Sequence, residues 1–198
     1  MKTKQRIKLK LALVGVLAVC VSVEVQASFL QQTPASLTGD QTVVKTFEQR
    51  AKDYSKLREK LEEQMPKLSK EAKPEEIQTH KKNFQERVRA ARVGAKHGDV
   101  FTPEAAKLIR AIIKDEYKGK ERVELRDTVL NESDTKAVPL RVNYPYPESQ
   151  ENLEMAPTLL MRLPQLPKQL RYRFVGRNLL LIDRENGLIV DYMTNALP

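Results

Sequence analysis

Four consecutive apolar residues near the C-terminus, Leu179-Leu180-Leu181-Ile182, constrain this 198-residue chain more than any other feature. Turn-forming residues bound the run, Gly176-Arg177-Asn178 before it and Arg184-Glu185-Asn186-Gly187 after it, so it reads as a strand. Neighbouring strand residues point to opposite faces. An apolar side chain at every position therefore demands cover on both sides of the sheet. Leu170–Val175 before it and Leu188–Met193 after it complete an antiparallel meander. Upstream helices can cover one face, and Pro157–Leu163 can cover the other.

The upstream half has helical periodicity. From Asp40 onward, Phe47, Ala51, Tyr54, Leu57, Leu61 and Met65 recur at steps of three and four, one face of a helix that Pro66 ends. A second helix is predicted from Pro74, where proline fits the first position and Glu75 and Glu76 complement the dipole. Its stripe is Ile77, Phe84, Val88, Ala91 and Ala95, with Gly94 or Gly98 at its end. The short link Pro66–Lys73 predicts an antiparallel hairpin. A third helix starts at Thr102-Pro103-Glu104, buries Ala105, Leu108, Ile109, Ile112 and Ile113, and stops by Gly119. Arg122–Leu130 fits a short helix, although Val123 and Leu125 alternate as in a strand. Val138–Val142 reads as a short strand, held to an edge or a strand start by Pro139. Thr158–Leu163 reads as one or two helical turns opened by Pro157. The expected fold is α+β. A helical hairpin and a third helix occupy residues 40–130, and a small antiparallel sheet module with a proline-rich lead occupies 131–198. Helices and sheet should share one core.

The N-terminus has a different grammar. Lys2, Lys4, Arg6, Lys8 and Lys10 precede the thirteen almost wholly apolar residues Leu11–Val23, and Val25-Gln26-Ala27 follows. This is the layout of a signal peptide over residues 1–27, with a polar leader at 28–39. A transmembrane helix needs about 20 apolar residues, which this segment lacks. The expected destination is the periplasm or the extracellular space. Leu17-Ala18-Val19-Cys20 leaves lipidation at Cys20 as the alternative, although Val19 is larger than the residue such sites carry. Cys20 is the only cysteine, so cleavage after Ala27 leaves no disulfide, thiolate metal site or cysteine nucleophile. The formal net charge is +9, of which residues 1–27 supply +4, leaving a mildly basic +5. Outside the cytoplasm that charge favours anionic surfaces over nucleic acid.

The tail Leu163-Pro164-Gln165-Leu166-Pro167, then Leu170–Asp183 and Leu188-Ile189-Val190-Asp191-Tyr192, resembles the C-terminal module of small exported bacterial proteins. That group includes RcnB-like periplasmic proteins tied to nickel and cobalt homeostasis, and related domains of unknown function. This resemblance covers about residues 157–193. Gly98-Asp99-Val100-Phe101-Thr102-Pro103, Val138-Pro139-Leu140-Arg141-Val142-Asn143 and the same tail are together similar to uncharacterised secreted bacterial proteins, over roughly residues 87–198. The resemblance implies an exported protein. No residue motif carries the nickel and cobalt role across.

Chemistry-bearing motifs are sparse. His80 and His97 stand seventeen residues apart with no second histidine one helical turn from either, which reads as surface or partly buried histidine rather than a metal site. Asp183 and Asp191 could form a carboxylate pair if their strands are adjacent, but strand-end aspartates more often close turns. No phosphate loop, nucleophile elbow or Ser/His/Asp pattern stands out, and no cofactor is expected. The third helix carries Lys107, Arg110, Lys114 and Lys118 opposite its apolar face, and Lys82, Arg89, Arg92 and Lys96 recur similarly on the second. Each set is either a solvated face or a docking surface for an anionic envelope component or protein partner. The expected function is a non-enzymatic exported binding module. The alternatives are an envelope enzyme such as a cell-wall hydrolase, or a metal-homeostasis accessory protein.

Overall fold

The helical periodicity is realised as three long helices in the computed structural model, which describes residues 35–118, 127, 139–146 and 155–197. α1 spans Ala35–Glu63, α2 Pro74–Ala91 and α3 Pro103–Glu116. The signal-peptide reading of residues 1–27 lies outside the described residues, as do residues 28–34 of the leader and all of Arg122–Leu130 except Asp127. α1 begins five residues before Asp40, within the stretch read as leader. Gly39 does not stop it, since one exposed glycine costs a helix only about 1 kcal/mol. α1 buries Phe47, Ala51 and Tyr54, and Met65 is buried just past its end.

α2 runs antiparallel to α1. Arg92 stacks on Tyr54, Arg58 stacks on Phe84, and His80 contacts the Pro66 carbonyl, so partners descend in one helix as they ascend in the other. The Lys73 N–H donates to Glu76 Oε2 at 2.9 Å and closes the start of α2. The buried stripe of α2 is shorter than its sequence suggests, comprising Phe84 and Val88 only. Ile77 is 45% exposed, because the first turn of α2 overhangs the end of α1. The helix stops at Ala91, short of Gly94. Arg92 there leaves helical geometry (φ −116°, ψ 31°) and sends its guanidinium to the Val190 carbonyl at 3.1 Å. α3 starts as expected, with Thr102 Oγ1 accepting from the Ala105 N–H at 3.3 Å. It buries Ala105, Ala106, Ile109 and Ile113, while Leu108 and Ile112 are half-buried. It ends at Glu116, before Gly119, where Tyr117 turns into the core.

The C-terminal strands are β1 (Leu170–Val175), β2 (Asn178–Asp183) and β3 (Ile189–Met193), antiparallel in the order β1-β2-β3. Gly176 (φ +53°) and Gly187 (φ +72°) supply the left-handed backbone of the two turns. All four residues Leu179–Ile182 are at most 1% exposed, so the central strand is covered on both faces. Leu179 and Leu181 pack into one core with Phe47, Phe84, Ile109 and Ile113 of the helices. Leu180 and Ile182 form a second cluster with Tyr146 and Ile189, flanked by Leu140.

The second cover differs from the expected one. Pro157–Arg162 is a short helix, α4, but Leu159 and Leu163 join the helical core rather than the opposite face. Thr158 Oγ1 and Arg162 bind the Glu116 carboxylate at 2.7 and 2.9 Å, which pins α4 beside α3. The other face is met by residues 140–146. Of the expected strand Val138–Val142, Val138 lies outside the described residues, and 139–142 are irregular or turn. Asn143 has φ +65°, which breaks an extended run. Pairing with the sheet slides downstream instead. The Asn143 N–H donates to the Ile189 carbonyl (2.8 Å), the Ile189 N–H to Tyr144 (2.9 Å) and the Tyr146 N–H to Gly187 (2.9 Å).

Candidate functional site

The sheet register decides the fate of the two strand aspartates. Asp191 stands opposite Leu181, and Asp183 closes β2 two residues on. Both are fully buried. They are not brought together as an acid–base pair, because each is claimed by a different element. Asp183 accepts from the Tyr54 hydroxyl of α1 at 2.8 Å and from the N–H groups of Glu185 and Asn186 at 3.0 and 3.3 Å. Arg58 Nε lies 3.1 Å from the same carboxylate, and its guanidinium also pairs with Glu62 and Glu185. Asp191 accepts four backbone N–H groups. Gly98 is at 3.0 Å, and Val100, Phe101 and Tyr192 are each at 2.8 Å. The arrangement fastens the loop before α3 onto β3. Both carboxylates are spent on holding the chain together.

Arg92 links these two centres. Its guanidinium lies 4.8 Å over the Tyr54 ring and donates to Asn143 Oδ1, and Asn143 Nδ2 donates back to the Arg92 carbonyl at 2.8 Å. Burial, then the neighbouring Asp183 charge, pushes the Tyr54 hydroxyl well above its ordinary pKa. Burial pulls Arg92 down, against the pull of the neighbouring Tyr54 hydroxyl and of the Asp191 and Asp99 carboxylates. Arg58 is raised: burial works against its charge, and Asp183, Glu62 and Glu185 outweigh it. Sequence periodicity marked Tyr54, Leu57 and Leu61 as the buried face of α1 and passed over Arg58. That arginine stands four residues after Tyr54, so it was aimed at the core all along. Arg92, four residues after Val88, carries the same signal.

Lys107, Arg110 and Lys114 of α3 are exposed on the side away from the buried Ala105, Ile109 and Ile113, and Lys118, expected on the same helix, is exposed two residues past its end. Two of the four have partners within the chain. Arg110 donates to the carbonyls of Thr194 and Asn195 at 3.0 and 3.4 Å, and Lys118 pairs with Asp115 at 2.7 Å. Lys107 and Lys114 are the two with no such contact. The set on α2 does not form one outward stripe. Lys82, Arg89 and Lys96 are exposed, but Arg92 turns inward. His80 Nε2 meets the Pro66 carbonyl at 3.1 Å, and His97 stacks on Tyr192 with ring centroids 4.2 Å apart. Among the described residues no group of three or more His, Cys, Asp or Glu could hold a metal ion, and no helix is long and apolar enough to cross a membrane.

Depressions among the described residues include two clefts of similar size, and two smaller hollows, of about 390 and 430 Å³, that share Glu59, Glu62 and Glu185. A cleft of about 770 Å³ beside β1 is lined by Leu160, Pro164, Leu166, Lys168, Arg171 and Arg184 among others, and among the described residues no carboxylate or histidine lines it. A second, of about 810 Å³, runs along α2 and carries Glu75, Glu76, Glu86 and His80. Glu75 and Glu86 are separated along the helix axis by about 16 Å, too far to act on one bond. No family model, no curated protein and no solved structure matches this chain.

Proposed function

We propose that the protein is an exported, non-enzymatic module that docks onto an anionic component of the cell envelope through the outer face of α3. The observation that carries the reading is the exposure of Lys107, Arg110 and Lys114 on a helix whose opposite face is locked into the core, with Lys118 exposed just past its end. A cation row on a rigid support is a directional patch, and its attraction is sequence-independent and salt-sensitive. The charge–apolar–small layout of residues 1–27 supports export, as does the resemblance of residues 157–193 to RcnB-like periplasmic proteins. The commitment of Asp183 and Asp191 to structural hydrogen bonds supports a binding role over a hydrolytic one.

The test uses the protein in the form the host exports. It is co-sedimented with purified cell wall at low and high salt, beside the variant Lys107→Glu/Lys114→Glu. Neither lysine has a partner among the described residues, so the fold should be unchanged, since exposed substitutions shift stability by no more than about 0.5 kcal/mol. Retention that falls steeply with salt and drops in the variant supports the reading. Equal retention of both proteins, or of neither, overturns it.

A further inference from the structure

Three carboxylates converge on one buried guanidinium where the end of α1 meets the β2–β3 turn. Arg58 has a side chain only 4% exposed. Its Nε lies 3.1 Å from Asp183 Oδ2, its Nη2 lies 3.1 Å from Glu62 Oε2, and the same Nη2 donates to Glu185 Oε2. One positive charge therefore stands against three negative ones. Asp183 is filled by other donors, namely the Tyr54 hydroxyl and the N–H groups of Glu185 and Asn186. Glu62 and Glu185 are not. Among the described residues each carboxyl takes a donor only from Arg58 Nη2, and sharing that nitrogen brings the two within hydrogen-bond reach of each other.

The surroundings do not supply a second cation. Glu59 and Glu63 of α1 line the same hollows and add like charge. Lys168 and Arg184 line one side and Lys67 and His80 the other, but among the described residues none of the four pairs with Glu62 or Glu185. Arg184 gives its Nε–H to the Leu170 carbonyl at 3.0 Å, and His80 meets the Pro66 carbonyl at 3.1 Å. From α2, Lys81 Nζ comes to the same turn at Gly187. Two carboxyls in contact, with one cation shared among three, are relieved by a single proton. Burial first, and then the facing Glu185 against the pull of Arg58, hold the Glu62 carboxyl above its ordinary 4.5.

We propose that Glu62 and Glu185 form an acid-closed latch: on mild acidification Glu62 takes up one proton and donates it in a hydrogen bond to Glu185, which ties the β2–β3 turn more firmly to the end of α1. Arg58 holds both partners throughout, so only the contact between the two carboxyls changes, from repulsion to a hydrogen bond. The latch involves none of the α3 cations and stands apart from the docking reading. Because Glu62 is the weaker acid when folded, the latch contributes fully below pH 4.5 and is lost as the pH rises through the raised value. Two measurements test it. A carboxyl-carbon titration by nuclear magnetic resonance reads Glu62 itself, so that His80 and the other groups of the hollow do not mask it. Its midpoint should lie above 4.5 in the parent and fall in Glu185→Gln, where the facing charge is gone. A parental midpoint at or below 4.5, or the same midpoint in both proteins, overturns the latch. The melting temperatures of the parent and Glu62→Gln are then compared at about pH 7.5 and about pH 5. The amide cannot gain the proton. The parent should therefore gain about 1–3 °C on the variant as the pH falls, the size of a part-exposed charge interaction in a chain of this length. A difference that stays constant with pH is a plain packing effect and overturns the latch, whichever protein is the more stable.

Discussion

Replacing Asp191 by Asn keeps the size of the side chain and removes half of its acceptor oxygens. In the protein Oδ1 accepts from the half-buried Gly98 and Tyr192, and Oδ2 from the buried Val100 and Phe101, all within 3.0 Å of a fully buried carboxylate. An amide nitrogen in either position faces two backbone N–H groups with a third donor. Flipping the amide only exchanges which pair is lost. Each buried donor left without an acceptor costs about 1–3 kcal/mol, and with the amide nitrogen turned to the half-buried pair Asp191→Asn should cost about 2–3 kcal/mol, toward the lower end for two donors. Asp191→Ala strands all four donors and should cost more, close to the whole stability of a domain, which is about 5–15 kcal/mol. Urea melts followed by far-ultraviolet circular dichroism measure both, and the Asn variant's melting temperature should fall by at least about 5 °C. An Asn variant within about 0.5 kcal/mol of the parent would mean that water serves these N–H groups, and the anchoring argument would fail.

Leu181→Ala and Ile182→Ala should each cost about 2–5 kcal/mol in the same melts, because both faces of β2 are buried. If one of the pair melts like the parent, that face is open. Tyr54 and Tyr172, both raised well above the ordinary tyrosine pKa of 10.0 by burial first, should stay protonated in an ultraviolet titration until the fold is lost. Since the folded pKa exceeds the unfolded one, their contribution is fully present below pH 10.0 and drains away above it, so stability should fall on the alkaline side. Asp115, held down to about 2 by the Lys118 and Arg162 hydrogen bonds, should titrate by nuclear magnetic resonance nearer the usual carboxylate range in Arg162→Gln. An unchanged midpoint would show that Arg162 contributes nothing there.

Local grammar carried much of this fold. Leu170–Val175 matches β1 in full because turn residues and alternation bound it on both sides. Thr102-Pro103 marked the start of α3 because a cap and a first-turn proline act over four residues. Features set by distant partners were not legible. A leader without strong helix signals still extends α1 back to Ala35, since nothing in Ala35–Gly39 breaks it. Leu140 and Tyr146 gave no sign that they cover the second face of β2, because their segment is too short and proline-rich to show a period. Asp191 serves N–H groups as far as 93 residues upstream, and a single aspartate in a strand says nothing about where its donors are. The α3 cations were legible as a row. The contacts that occupy Arg110 and Lys118 were not, one of them lying 84 and 85 residues away on the tail after β3.

Placing the two-faced strand after the helices that cover it has a kinetic consequence. The helices and the 139–146 segment that cover β2 are made earlier, yet neither layer can close until residues 170–193 are made. The bonds that join the layers span long loops, 129 residues from Tyr54 to Asp183 and 90 from Phe101 to Asp191. Bringing such distant partners together costs chain entropy before any contact is gained, which slows folding. A growing chain halted before Leu170 would hold Phe47, Phe84 and Ile109 with no sheet to receive them. Such a chain stays loose until the sheet is made and then folds in one late step.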